Sequence, residues 1–347
     1  MKKIIFSLCL TALAIGCAKT EVNYGETDQI AFAPVAQMST KAAVESGAPA
    51  CDLIVSANAG AAGSAASACT ELYFNNVTFT NNESGIFTAN GYFWPNVKHL
   101  TFAGITMSAG VKVENVKMDV SGNVIVLANY PQQEINTENN DLMWFEHTAP
   151  AGKTSSAIAV DMKHACSWLV FNFIGDDTSA DEWNITNIKI NNISVKETVT
   201  LAPTGASTEA IAVWTENQDK KVNLRDLTVP VEKSAKIGTT TAPYNPSANG
   251  IIVIPQTPAT LSITYNYVSQ AGGANGKDIV IQETATVSLD YDGVESTNTK
   301  WEAGKKYTYT ITIGTSPIKI APTASPWVDY DSDTTTEDKD PITTETI

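Results

Sequence analysis

The sequence predicts an all-β protein built from tandem sandwiches, and three observations carry that expectation. Short apolar runs alternate with period two, as in strands with one face buried. No segment sustains a 3.6-residue apolar stripe with helix caps. Only 17% of the 347 residues are charged, and Thr alone occurs 42 times, a composition that suits pleated, half-buried surfaces better than helical bundles.

The elements follow in chain order. Residues 30–38 place Ile30, Phe32, Pro34, Ala36 and Met38 on one face of an extended segment. Glu71–Thr80, Val111–Val116 and Asn123–Leu127 are short β-rich runs. Ser167–Ile174 is rich in Trp, Leu, Val and Phe and reads as a central, buried strand. Asn184–Val195 alternates imperfectly through Ile185, Ile188, Ile190 and Ile193, which predicts a bulge at Asn187. Gly250–Pro255, Thr260–Val268, Ile279–Leu289 and Tyr307–Ile313 continue the pattern; in the last, Tyr307, Tyr309, Ile311 and Ile313 share a face opposite Thr308, Thr310 and Thr312. The acidic patch at 175–181 divides the chain into a unit at 29–176 and another at 177–328. Residues 329–347 form an acidic, Thr-rich tail.

The N-terminus reads as an address. Lys2 and Lys3 precede an apolar run of about 12 residues, too short to span a bilayer and right for a signal-peptide core. It ends at Ala14-Ile15-Gly16-Cys17, which resembles a bacterial lipobox, although Leu13 stands four rather than three positions before Cys17. Residues 1–16 are then a removable signal, Cys17 the lipidated new N-terminus, and residues 17–28 a polar tether. An ordinary secretory signal is the competing reading. Outside the cytoplasm disulfides are permitted. Cys51 and Cys69 flank a small-residue segment read as a loop, and a bridge between them would stabilise by roughly 3 kcal/mol; two separate thiols are the alternative. Cys166, in an apolar run, reads as a small core residue.

Charge and motifs exclude several functions. The net charge is −15, which argues against a nucleic-acid binder, since that needs a basic face, and Arg225 is the only arginine, fewer than a phosphate-handling enzyme usually shows. There is no CxxC, HExxH, GxSxG or P-loop pattern. His99, His147 and His164 are scattered; His164 and Cys166 share a strand face without an evident orienting partner, which favours packing over a Cys–His pair. No residue set marks a catalytic site, and no cofactor is called for. Asp329, Asp331 and Asp333 begin a calcium-loop spacing, yet Thr334 stands where Gly would make the turn and Asp340 closes the loop instead of Glu. A solvated tail is the preferred reading. It would contribute little to folding, so deleting Val328–Ile347 should leave the melting temperature nearly unchanged. The seven tryptophans allow a sugar platform in principle, but aromatics dominate cores.

A series of phrases then resembles the fimbrillin-like lipoproteins of Bacteroides-type bacteria, which include type V pilus subunits. They run from the lipobox Cys17 and tether through Ile30-Ala31-Phe32, Ser39-Thr40-Lys41-Ala42 and Gly91-Tyr92-Phe93-Trp94-Pro95 with Leu100-Thr101-Phe102. Asp141-Leu142-Met143, Met162-Lys163-His164-Ala165, Ile254-Pro255-Gln256-Thr257 and Ile263-Thr264-Tyr265 follow, then the segment 301–309 and Trp327. The resemblance implies two β-sandwich domains of transthyretin-like topology and no enzymatic activity. It also implies a surface subunit anchored to the outer membrane, which assembles with other fimbrial subunits by donor-strand insertion and serves adhesion. In such pilins a protease cuts after the first strand, the strand leaves, and a strand of another subunit fills the groove. Ile30, Phe32 and Met38 match the displaced strand, and Lys41-Ala42 match the cut. The family's best-known cut follows an Arg, so a Lys-tolerant protease is required here. Pro317–Ala321 is a candidate donor or final strand, and the tail carries too few apolar residues to fill a groove. These features leave room for a tip, minor or anchor subunit. The competing reading is a monomeric surface glycan-binding lipoprotein.

Overall fold

The structure is a computed structural model that describes residues 29–34, 52–62, 69–81, 85–95, 98–107, 118–121, 124–131, 141–149, 156–175, 182–194, 196–202, 211–215, 224–229, 231, 235–246, 250–257, 260–269, 279–289, 301–314 and 318–326. Among these residues there is no helix. The strands are β1 Gln29–Pro34, β2 Leu53–Ala61, β3 Glu71–Asn81, β4 Phe87–Phe93, β5 Lys98–Met107, β6 Met118–Ser121, β7 Val124–Pro131, β8 Leu142–Ala149, β9 Ile158–Val160, β10 Lys163–His164 and β11 Ser167–Gly175. They continue as β12 Glu182–Ser194, β13 Lys196–Ala202, β14 Ile211–Thr215, β15 Leu224–Val229, β16 Ala235–Lys236, β17 Ile251–Val253, β18 Thr260–Ser269, β19 Ile279–Ser288, β20 Lys305–Ile313 and β21 Lys319–Pro326.

The N-terminal strands make one eight-stranded sheet in the order β10-β8-β5-β2-β3-β4-β1-β9. This sheet folds over on itself. In a flat sheet β1 and β5, four places apart, would lie about 19 Å from each other, yet the Phe32 and Phe102 rings are 5.2 Å apart. The turn is made along β3, which pairs with β2 over Glu71–Phe79 and with β4 only through Thr80 and Asn81. A bulge at Asn75–Asn76 helps bend it: Asn76 adopts φ 51°, and its N–H donates to Ser56 Oγ at 3.0 Å. The folded sheet encloses an aromatic core of Phe32, Phe74, Phe79, Phe87, Trp94, Phe102 and Phe145.

The C-terminal strands make a sandwich. One sheet runs β17-β11-β20-β21 and the other β15-β12-β18-β19, with β16 also on β12. The expected alternation in β20 holds: Tyr307, Tyr309, Ile311 and Ile313 are buried and the threonines between them half-buried. The buried Tyr309 hydroxyl is bonded on both sides, as burial favours: Trp301 Nε1 donates to Tyr309 Oη at 2.7 Å, and Tyr309 Oη donates to the Leu289 carbonyl at 2.8 Å. Against β18 the irregularity of β12 falls between Ile185 and Asn187, with Thr186 as the extra residue, and against β15 a second falls between Ile190 and Ile193.

Two findings correct the sequence expectation. β11 pairs in parallel with β20 and antiparallel with β17, and its Leu169, Phe171 and Phe173 enter the C-terminal core. It therefore lies on the C-terminal side of the expected 175–181 boundary. The stretch after Cys51, read as a loop, is instead β2 as far as Ala61, the strand joining β3 to β5. β2 lacks alternation because it is covered on both faces. Its outer cover includes a fourth sheet, β14-β13-β7-β6, drawn from both halves of the chain. Val199 and Leu201 of β13 pack there with Ile54, Ile105, Leu142 and Trp144, and with Ala165, Cys166, Ile252 and Ile254.

Candidate functional site: the groove that holds the first strand

Alternation in β1 is strict over its described side chains. Ile30 and Phe32 are fully buried and Gln29, Ala31 and Ala33 half-buried. β1 lies between β4, to which it runs antiparallel, and the three-residue β9, to which it runs parallel. Its backbone hold is slight. Only Gln29, Ala31 and Phe32 register with β4, across an irregularity, and Phe32, Ala33 and Pro34 register with β9. Gln29 Nε2 adds a bond to the Ala89 carbonyl at 2.9 Å.

The side-chain hold is deep. Phe32 meets Phe79 at 5.0 Å and Phe102 at 5.2 Å, both edge to face, and Phe145 at 5.5 Å. Edge-to-face rings match the electron-poor rim of one to the face of the other, which adds to the gain from area alone. Strand position matters as much. β1 is next to last in its sheet, so its departure would leave the ladder β8-β5-β2-β3-β4 intact. It would expose a groove lined by Phe79, Phe87, Phe102, Phe145 and Ile158, with unsatisfied backbone along β4.

The remaining expected site residues divide into two sets. Cys17, Met38, Lys41, Ala42, Cys51, Asp329, Asp331 and Asp333 lie outside the described residues, as do Val111–Val116 and Trp327. Cys69 is buried, with Sγ 3.9 Å from the His99 carbonyl oxygen. Cys166 is a core residue as expected. His164 does have an orienting partner: its Nδ1 lies 2.8 Å from Asp141 Oδ2, and both side chains are buried. This ties Asp141, at the start of β8, to β10, alongside the bond from Ala165 N–H to the Leu142 carbonyl. The pair links two of the sequence phrases across the sheet edge and reads as a structural tie.

The sequence singled out Phe32 but not the rings that receive it. Phe79, Phe102 and Phe145 come from β3, β5 and β8, and no local pattern connects them. Trp94, Trp144, Trp183 and Trp301 are buried, and Lys306 Nζ covers the half-buried Trp168 at 4.2 Å from the ring centroid. These five tryptophans therefore form no open aromatic platform.

A family model described as fimbrillin-like matches residues 38–327. Among solved structures, a fimbrial protein from Bacteroides vulgatus superposes with a TM-score of 0.58 at 14% identity, over 87% of this chain and 100% of that one. The tip fimbrial protein Mfa3 from Porphyromonas gingivalis, with C-terminal truncation, matches with a TM-score of 0.41 at 10% identity, over 86% of this chain and 100% of that one. No curated protein sequence matches.

Proposed function

We propose that this chain, which belongs to the fimbrillin-like family, is a fimbrial subunit or tip component assembled at the cell surface by exchange of its first strand, and that it serves adhesion. One observation carries the strand-exchange reading: β1 is held deeply by side chains and lightly by backbone, at a place in the sheet it can leave without breaking the central ladder. An incoming strand with apolar residues two apart would reoccupy the Ile30 and Phe32 pockets and restore the β4 ladder, the mode called β-augmentation. Lys41 lies seven residues beyond Pro34, so cleavage there would leave β1 joined to its groove by noncovalent contacts alone. Cys17 would carry the lipid that holds the precursor at the outer membrane. The tail from 329 would then lie outside the two sandwiches.

The test is limited digestion with a Lys-specific protease and, in parallel, an Arg-specific one, followed by mass spectrometry and size-exclusion chromatography. Selective cleavage after Lys41 by the first enzyme, release of the N-terminal segment and growth of oligomers are the expected results. A protected Lys41, or a cleaved chain that keeps its first strand and stays monomeric, would overturn strand exchange for this subunit. Retention on a glycan affinity gel by the uncut monomer would instead favour the glycan-binding alternative.

A further inference from the structure

Strands at sheet edges normally carry a device against pairing with another chain: shortness, a charge, a proline or a bulge. Most edges here have one. β9 has three residues and β10 two. β21 carries Lys319, Pro322 and Pro326, and β15 carries Arg225 and Asp226. β19 is different. Its ten residues, IVIQETATVS, run against β18 in ten consecutive pairs without a shift in register. The strand has one charge, Glu283, and no Pro, Gly or Lys. Among the described residues no strand pairs its outer side. Val280 is 58% exposed and Ile281 46%, two of the three exposed large hydrophobics among the described residues.

The pattern of β19 is close to self-complementary. When a second copy is laid antiparallel with Thr284 opposite Thr284, Ile281 meets Val287, Glu283 meets Ala285 and Gln282 meets Thr286 of the other copy. Val280 meets the small Ser288. The two rows then stay on their own faces, an inner row that is apolar except for Glu283 and an outer row that is polar except for Val280. The inner row joins Ala285 and Val287, which already pack on the core. The outer row extends the ladder that Gln282, Thr284 and Thr286 form with Asn266, Thr264 and Ser262 of β18. The register centred one residue earlier on the inner face would set Glu283 against Glu283, which like charges disfavour. We propose that β19 is a homotypic docking edge, through which two copies join antiparallel about a two-fold axis at Thr284. The edge lies in a different sheet from the β1 groove, so the inference goes beyond strand exchange and does not rest on it.

The test is sedimentation of the full chain over a series from micromolar to near-millimolar concentration. A reversible dimer is expected, weakened by about tenfold or more in Ile281→Lys and unchanged in Thr323→Lys on the β21 edge. Register is tested separately with exposed positions that the fold tolerates. Under mild oxidation Thr284→Cys should yield a covalent dimer. Gln282→Cys should not, because its copy would be offset by four residues, about 14 Å. A chain that stays monomeric throughout, a dimer indifferent to Ile281→Lys, or equal cross-linking at both positions would overturn the proposal.

Discussion

Replacing Phe32 with Ala tests the depth of the first-strand groove. Phe32 is fully buried and touches three rings at 5.0, 5.2 and 5.5 Å. Truncation removes the transfer energy of the ring and leaves a cavity that Phe79, Phe102 and Phe145 can fill only in part. Such changes cost about 3–5 kcal/mol. The upper half of that range applies, because two edge-to-face contacts, each adding about 0.5–1.5 kcal/mol, are lost with the area. A loss of about 4 kcal/mol is a large share of a typical net stability of about 5–15 kcal/mol. It corresponds to a fall on the order of 10 °C in the Tm of the N-terminal unit. Urea denaturation of the full chain followed by tryptophan fluorescence measures it, since Trp94 stands 5.7 Å from Phe102 in the same core. Ala33→Ser, on the opposite face of β1, is the control and should cost less than about 0.5 kcal/mol. A Phe32→Ala cost below about 1 kcal/mol would refute the reasoning, because β1 would then contribute too little for its departure to open an energetic groove.

Other predictions follow from single contacts. Gly104→Ala would place a Cβ 2.2 Å from Phe145 Cε1, so the ring that receives Phe32 must move; β1 should become more protease-sensitive and stability should fall by about 1–3 kcal/mol. Tyr309→Phe removes the acceptor of Trp301 Nε1 and the donor to the Leu289 carbonyl, with an expected cost of about 1–3 kcal/mol by thermal denaturation. Burial, reinforced by the Glu283 carboxylate, raises the Tyr265 phenol from 10.0 to about 12. The folded chain then keeps a proton that the unfolded chain has lost, so this residue's contribution is present below pH 10 and is lost as pH rises towards 12. In ultraviolet phenolate titration the late-ionising fraction assigned by its loss in Tyr265→Phe should ionise earlier in Glu283→Gln.

Much of the fold was legible because strand alternation is a local property. The buried face of β20 and the Ile30–Phe32 face of β1 both follow from every second residue being apolar. The bulge in β12 was visible as a break in that alternation. The miss at β2 has the same root. A strand covered on both faces loses its alternation, and its small residues, in LIVSANAGA, imitate a loop. The boundary at 175–181 was misplaced because polarity marks where a chain is solvated, not which sheet the preceding strand joins.

The sequence by itself determined the all-β class, the strands with one buried face and the resemblance to a pilin-like family, since each rests on residues near one another in the chain. Tertiary structure alone decided which strands are neighbours. The pairing of Leu169 with Tyr307, the sheet that draws β7 and β13 from opposite halves, and the convergence of Phe79, Phe102 and Phe145 on Phe32 all join distant segments. Many partners satisfy the same backbone hydrogen bonds, and the burial that chooses among them exists only once the chain has folded.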